Sequence, residues 1–236
     1  MSIVNVRNFE TIIRKATIAH TVDYVQLNVT PETISAKLIN SDKNCISILN
    51  VPNNTFLEMK KGSSLELNLD EPAANCIPYL ALIDEDEAIF EEKKDKIQIT
   101  AGSMKSKITL CQPQDNKIFG ADAPKAANKP FVTLKVSDSF KESYNKIKKI
   151  APKFNKVYFT VEDGTLYFET TDKTNPASNG IKLDIFSCEN ESNKIICFPF
   201  KNINSVMSVL DDGDFKISLY YIEAADMGMI SFIKDD

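Results

Sequence analysis

Five lysines within one short stretch are the strongest candidates for a chemical role in this chain. Their ammonium groups could bind phosphates of a polyanion, although a run of charge usually marks only the solvated face of a helix. The stretch is SDSFKESYNKIKKIAPKF, residues 137–154, and its lysines are Lys141, Lys146, Lys148, Lys149 and Lys153.

A helix must position these lysines. Apolar residues recur at steps of four and three, which places them on one side of a 3.6-residue helix, opposite Lys141, Lys146 and Lys149. Ser139 with Glu142 fits a capping box, and Pro152 predicts the end of the helix. The apolar stripe is Val136, Phe140, Tyr144, Ile147 and Ala151.

The same pattern occurs about 130 residues earlier in the chain. Residues 8–21, NFETIIRKATIAHT, predict a helix with Phe9, Ile12, Ile13 and Ala16 on its buried side. Each helix precedes a predicted hairpin of two alternating strands, Tyr24–Ile39 or Lys156–Thr171. The chain is therefore predicted to contain a duplicated unit, and we expect the equivalent surfaces of the two copies to share the function of the protein. The basic residues of the first copy are Arg7, Arg14 and Lys15.

The duplication predicts two α+β domains, residues 1–111 and 131–236, joined by a linker at residues 112–130. The linker contains three prolines and lacks periodicity. Its Ile118–Phe119 pair has two interpretations, which are compatible: it packs the linker onto a domain, or it borders a pocket for a partner peptide.

Each half is predicted to run strand, helix, strands, helix, strands. Residues 2–6 form the first strand, and Pro52–Gly62 stays ambiguous. A second helix is predicted with Asn75 as its cap and Ile83 at its end, and a fourth helix spans Phe200–Leu210, with Lys201 facing outward. The other predicted strands are 44–51, 64–69, 88–90, 96–101, 107–111, 131–135, 181–187, 194–198, 214–222 and 229–233.

The formal net charge of −5 contrasts with the basic helices. Acidic residues cluster in predicted turns and at the terminus, away from those helices, so one surface could be positive on an acidic body. No apolar run approaches a membrane span, and the first residues lack a signal-peptide pattern, so we expect a cytoplasmic protein. The acidic clusters are Asp84–Glu87, Glu91–Glu92, Asp211–Asp212 with Asp214, and Asp235–Asp236.

Catalytic groups are hard to find. His20, the only histidine, lies near the apolar stripe at a helix end, where a packed or surface role is expected. No glycine-rich phosphate loop is present, and the five cysteines lack CxxC spacing, which argues against zinc and against a disulfide framework. Asp84–Glu87 could hold a metal, but adjacent carboxylates in a turn are usually solvated. We expect no catalysis, cofactor or metal.

The whole chain resembles DNA polymerase sliding clamps, most closely those of T-even-type bacteriophages. The resemblance lies in length, two-fold repeat, linker position and charge layout. It is strongest in AANCIPYLALIDEDEAIFEEKKDKIQITAGSMKSKITLCQPQ (residues 73–114) and FKNINSVMSVLDDGDFKISLYYIE (residues 200–223). The segment Ala225–Gly228 also resembles the carboxy-terminal region of cellular clamps.

The resemblance implies a homotrimeric ring of six similar domains, with sheets outside and helices lining a hole for duplex DNA. It also implies a replicative DNA polymerase and a clamp-loader ATPase as partners. Edge strands would join the subunits, and the candidates are Lys107–Cys111 and Ile181–Ser187. The basic residues that would face phosphates are Arg7, Arg14, Lys15, Lys141, Lys146, Lys149, Lys153 and Lys201.

Partner proteins of this family insert a peptide into an apolar pocket. By position, Ile118, Phe119 and Ile233 would line it. Two other hypotheses stay open: a non-enzymatic interaction scaffold with merely solvated lysines, and an enzyme with an unrecognised carboxylate site at Asp84–Glu87.

Overall fold

A computed structural model describes residues 2–42, 44–112, 130–175, 177–188, 194–210, 215–222 and 227–234. The chain divides into two compact units, Met1–Gly120 and Ala121–Asp236. The predicted linker boundaries stay a prediction, because residues 113–129 lie outside the described part. Among the described residues, no helix is long and apolar enough to span a bilayer.

The described residues of the first unit form two antiparallel four-stranded sheets. One sheet has the strand order β4-β3-β2-β5, and the other has the order β1-β6-β7-β8. The elements are β1 (Ser2–Asn5), α1 (Val6–Ala16), β2 (Tyr24–Val29), β3 (Thr33–Ile39), β4 (Ile46–Pro52), β5 (Leu65–Asp70), α2 (Pro72–Asn75), α3 (Ile77–Ala81), β6 (Glu87–Lys93), β7 (Lys96–Ala101) and β8 (Met104–Thr109).

The second unit follows the same plan. Its sheets have the orders β12-β11-β10-β13 and β15-β14-β9. The elements are β9 (Val132–Lys135), α4 (Asp138–Lys148), a 3-10 turn (Ala151–Lys153), β10 (Lys156–Glu162), β11 (Thr165–Thr170), β12 (Ile181–Ser187), β13 (Lys194–Pro199), α5 (Phe200–Val209), β14 (Phe215–Ile222) and β15 (Met227–Lys234). The predicted α+β class with antiparallel sheets is confirmed.

The repeat extends further than the sequence suggested. In the first unit, a strand, a helical segment and three strands occur twice, and the first strand of each copy pairs with the sheet of the other copy. The second unit repeats the exchange with β9 and β13. Each unit is therefore itself a duplication, which explains why each has helical segments at two equivalent positions.

Aromatic rings fix the basic helices to their sheets. Phe9 of α1 makes edge contacts with Phe56 and Phe90, with ring centroids 5.6 and 5.3 Å apart. In the second unit, Phe140 of α4 stacks on Phe168, with the centroids 6.2 Å apart. The predicted apolar stripes of both helices are buried, as expected.

The cap of α4 differs from the prediction. Ser137, with extended backbone, accepts a hydrogen bond from Phe140 N at 3.3 Å, so the Ser139–Glu142 capping box is wrong. The Ser139 hydroxyl lies 2.7 Å from the Ser137 hydroxyl instead. Asp138 in the first turn and lysines in the last turn complement the helix dipole.

The predicted second helix corresponds to α3, with Cys76 as its N-cap, and the short helix α2 that precedes it was not predicted. Asn75 ends α2 instead of capping a helix, and its side-chain nitrogen donates to Asp70 O at 3.1 Å. The ambiguous segment before Gly62 is not helical. It runs beside β1, where Asn5 N donates to Thr55 O at 2.8 Å and Leu57 N donates to Ile3 O at 2.8 Å.

Candidate nucleic-acid interface

Helix α4 and its C-cap present an exposed basic face. Lys146 and Lys148 of α4 and the C-cap Lys149 are exposed, whereas Tyr144 and Ile147 of the helix are buried. Among the described residues, no carboxylate oxygen lies within 4.0 Å of these three ammonium groups. Their charge is therefore not neutralised by a contacting carboxylate within the described chain.

The predicted basic residues around α4 differ in exposure. Lys141 is half-buried, whereas Lys153, in the 3-10 turn, is exposed. Lys201 is exposed in the first turn of α5. Tyr144 Oη donates a hydrogen bond to Asn204 Oδ1 at 2.7 Å, so α4 and α5 are joined beneath this face.

The basic residues of α1 have a different environment. Arg14 Nη2 lies 2.9 Å from Glu10 Oε1, and Arg7 Nη1 lies 3.6 Å from Glu10 Oε2. Arg7 Nη2 also donates to Ile83 O at 2.8 Å, just past the end of α3. Lys15 is half-buried.

The acidic turn Asp84–Glu87 lies closer to a basic helix than we expected. Val6 N, at the start of α1, donates to Asp86 O at 2.9 Å. The expectation that the acidic clusters lie away from the basic helices is therefore wrong for this turn. The Asp211–Asp214 and Asp235–Asp236 clusters lie outside the described residues.

Glu10 is the residue that sequence reasoning missed. Its spacing from Arg7 and Arg14, three and four positions, is the spacing of ion pairs along a helix and was visible in the sequence. The Arg7 contact with Ile83 O joins residues 76 positions apart, and no local pattern predicts it.

Exposed apolar side chains are the second feature of interest. Ile233 on β15 is 53% exposed, but Ile118 and Phe119 lie outside the described residues. On β4, Ile46 and Ile48 are 47% and 60% exposed and point to the same face, because alternate residues of a strand share a face. These two isoleucines lie on an edge strand of their sheet.

The described residues offer little for catalysis. No group of three or more metal-ligating side chains is found among them. His20 is exposed, with a left-handed backbone (φ 71°), and its pKa is lowered by partial burial and then by the charge of Arg14. The five cysteines are free thiols.

The two units together have the fold of DNA polymerase sliding clamps. PCNA from Thermococcus kodakaraensis aligns over 99% of this chain and 98% of its own, with a TM-score of 0.63 and 17% identity. PCNA from A. fulgidus, solved with the C-terminal region of FEN-1, aligns over 99% and 96%, with a TM-score of 0.62 and 12% identity.

The DNA polymerase sliding clamp from Bacillus subtilis has a TM-score of 0.67 and 11% identity. It aligns over 99% of this chain, which spans only 63% of the Bacillus chain. No protein-family model matches the sequence. No curated protein matches it either.

Proposed function

We propose that this protein is a sliding clamp, a ring that encircles duplex DNA without sequence preference and tethers the replicative DNA polymerase. The observation that carries the proposal is the exposed basic face of α4, Lys146, Lys148 and Lys149, on a two-unit chain with the clamp fold. The function needs no catalytic group, cofactor or metal.

Electrostatics would supply the contact with DNA. Lysines that neutralise phosphates release counterions and carry no sequence information, so any duplex could bind and move along the ring. Lys153, Lys201, Lys141 and the basic residues of α1 would extend the contact. Such contacts weaken with salt, and the closed ring would retain DNA through topology.

Two edge strands would close the ring as a homotrimer of six similar domains. β8 and β12, which correspond closely to the predicted edges Lys107–Cys111 and Ile181–Ser187, are the terminal strands of their four-stranded sheets. A terminal strand has backbone groups available for pairing with another chain. We propose antiparallel pairing of β8 of one subunit with β12 of the next.

Partner proteins would bind through exposed apolar side chains. The FEN-1 segment bound to the A. fulgidus clamp is a precedent for peptide recognition in this fold. The proposed pocket retains Ile118, Phe119 and Ile233, and the exposed pair Ile46 and Ile48 is a second candidate because it lies on an edge strand.

The remaining partner assignments follow from the resemblance to T-even-type phage clamps. A clamp-loader ATPase would open the ring, and the protein would act in the cytoplasm of the host cell. The proposed domain boundaries are 1–111 and 131–236, with the linker at 112–130. Reconstituted DNA synthesis with a T-even-type polymerase and loader would test this assignment.

The first test is the mass in solution by light scattering across a concentration series. A trimer has about three times the 26.4 kDa of the chain. The second test is binding to labelled duplex DNA by K146E/K149E, compared with K60E/K61E, which makes the same charge change at an exposed loop. We expect only the first variant to lose most of its affinity.

Two results together would refute the proposal. They are a monomer at high concentration and equal DNA binding by both double variants. That outcome would favour an interaction scaffold, in which the lysines of α4 serve only solubility.

A further inference from the structure

Glu10 lies between the two arginines of α1. Its carboxylate contacts Arg14 at 2.9 Å and Arg7 at 3.6 Å, and Arg14 Nε also donates to Glu10 Oε1 at 3.0 Å. The Glu10 side chain is 17% exposed, whereas each arginine side chain is 49% exposed. The carboxylate is therefore mostly covered, and the guanidinium groups remain reachable from solvent.

The two arginines are not equivalent. Arg7 also donates to Ile83 O at 2.8 Å, and this bond holds it against a residue two positions past the end of α3. Among the described residues, the hydrogen bond and the ion pair of the Arg14 guanidinium both go to Glu10. Arg14 is therefore the arginine that can exchange its partner without breaking a contact to another element.

We propose that Glu10 is a positioning residue that competes with DNA phosphates for Arg14. This inference rests on the proposed function. In the free protein, Glu10 neutralises Arg14 and orients it along α1. When duplex DNA approaches, Arg14 exchanges the carboxylate for a phosphate, so α1 is a weaker, exchangeable contact.

The basic face of the second unit lacks this arrangement among the described residues. Lys146, Lys148 and Lys149 have no carboxylate within 4.0 Å in the described part of the chain. Glu142, four residues before Lys146, is exposed and likewise has no cation within 4.0 Å among the described residues. Exposed ion pairs are individually weak, so Arg14 can leave Glu10. The pair nevertheless opposes the phosphate contact, because it must be broken before Arg14 can reach a phosphate.

The test is Glu10→Gln, which keeps the shape of the side chain and removes its charge. Binding of a short, blunt-ended fluorescent duplex is followed by anisotropy between about 50 and 200 mM salt. Because Arg14 of E10Q no longer has to leave a carboxylate before it contacts a phosphate, the variant saves the free energy of one exposed ion pair, which corresponds to about two- to five-fold tighter binding at about 0.1 M salt. We expect this gain for E10Q.

Glu142→Gln is the matched control. It makes the same charge change four residues from a basic residue on the other helix, but it breaks no ion pair of the described residues. We expect its gain to stay below about two-fold, because only screened, longer-range repulsion is removed. In an R14Q background, E10Q should gain no more than E142Q does. Melting curves of each variant establish that the fold is intact.

Several outcomes would overturn the inference. E10Q could bind DNA no better than E142Q, or more weakly than the unmodified chain. E10Q could also show the same gain in affinity in the R14Q background as in the unmodified chain. K146Q/K149Q, measured in parallel, separates the two proposals. If K146Q/K149Q binds DNA more weakly while E10Q and E142Q have equal affinity, the proposed clamp function is supported and the proposed role of Glu10 is refuted. If neither K146Q/K149Q nor E10Q changes the affinity for DNA, both the clamp function and the role of Glu10 are refuted.

Discussion

The hydrogen bond from Tyr144 to Asn204 connects α4 with α5, and its removal should lower the stability of the protein measurably. The donor–acceptor distance is 2.7 Å, and the tyrosine ring stacks near Phe168 at 6.4 Å between centroids. Y144F keeps the ring and its packing. We expect the free energy of unfolding to fall by about 1 kcal/mol, the net contribution of one hydrogen bond.

N204A should cost more than Y144F. It leaves the buried Tyr144 hydroxyl without its acceptor, and an unsatisfied buried group costs about 1–3 kcal/mol. In the double variant, the two changes should couple by about 1 kcal/mol. Urea unfolding followed by circular dichroism measures all four proteins. A coupling energy near zero would show that this bond does not stabilise the unit.

The same pair gives a pH prediction. Burial raises the pKa of Tyr144 to about 12, above the value of about 10 expected in the unfolded chain. The neutral phenol is therefore favoured by folding, so its contribution is fully present below about pH 10 and is lost as the pH rises through about 12. Compared with Y144F, the unmodified chain should lose stability across that interval. If the stabilities of the unmodified chain and of Y144F changed with pH in parallel, the raised pKa of Tyr144 would be contradicted.

Three further predictions concern packing and thiol chemistry. F56A should destabilise the first unit by about 3–5 kcal/mol in urea unfolding, because it removes one ring of a buried three-ring cluster; a much smaller loss would show that the cluster repacks. G228A places a Cβ 1.9 Å from Ile196 Cγ2, so it should cost more than about 1 kcal/mol, and I196A should offset part of that loss. In thiol labelling at about pH 8, exposed Cys197 should react in the native state. Cys76, whose pKa burial raises to about 12, should react only on unfolding; equal rates would contradict the burial difference.

The sequence predicted α4 well because local and global signals agree there. Apolar periodicity set its buried face, but the helix ends at Lys148, and Ala151 and Pro152 lie in the 3-10 turn that follows. The cap was wrong by two residues because Ser137 and Ser139 both carry a suitable hydroxyl, and only the backbone geometry selects Ser137. The presence of a strand was predicted more reliably than its first and last residues. Alternation of apolar and polar residues identifies a strand, but hydrogen bonding to the neighbouring strand decides where it ends.

The segment between β5 and β6 shows what sequence patterns leave undetermined. Pro72 and Pro78 can each occupy the first turn of a helix, so the pattern does not choose between one helix and two. Glu71 adopts a left-handed conformation (φ 41°) before α2, at a residue type that gives no such signal. Tertiary contacts decide the local conformation here.

The basic residues of the candidate interface were predicted from the sequence, but their ion pairs were not. α1 and α4 show the same pattern in sequence, an apolar stripe with basic residues outside it. In the structure, Glu10 neutralises Arg14, whereas Lys146 and Lys149 have no contacting carboxylate within the described residues. Because counterion release depends on which cations reach a phosphate unpaired, the net charge of −5 does not decide whether this surface binds DNA. A duplicated fold with unequal ion pairing would instead give its two halves unequal roles, with α4 as the main contact and α1 as the exchangeable one.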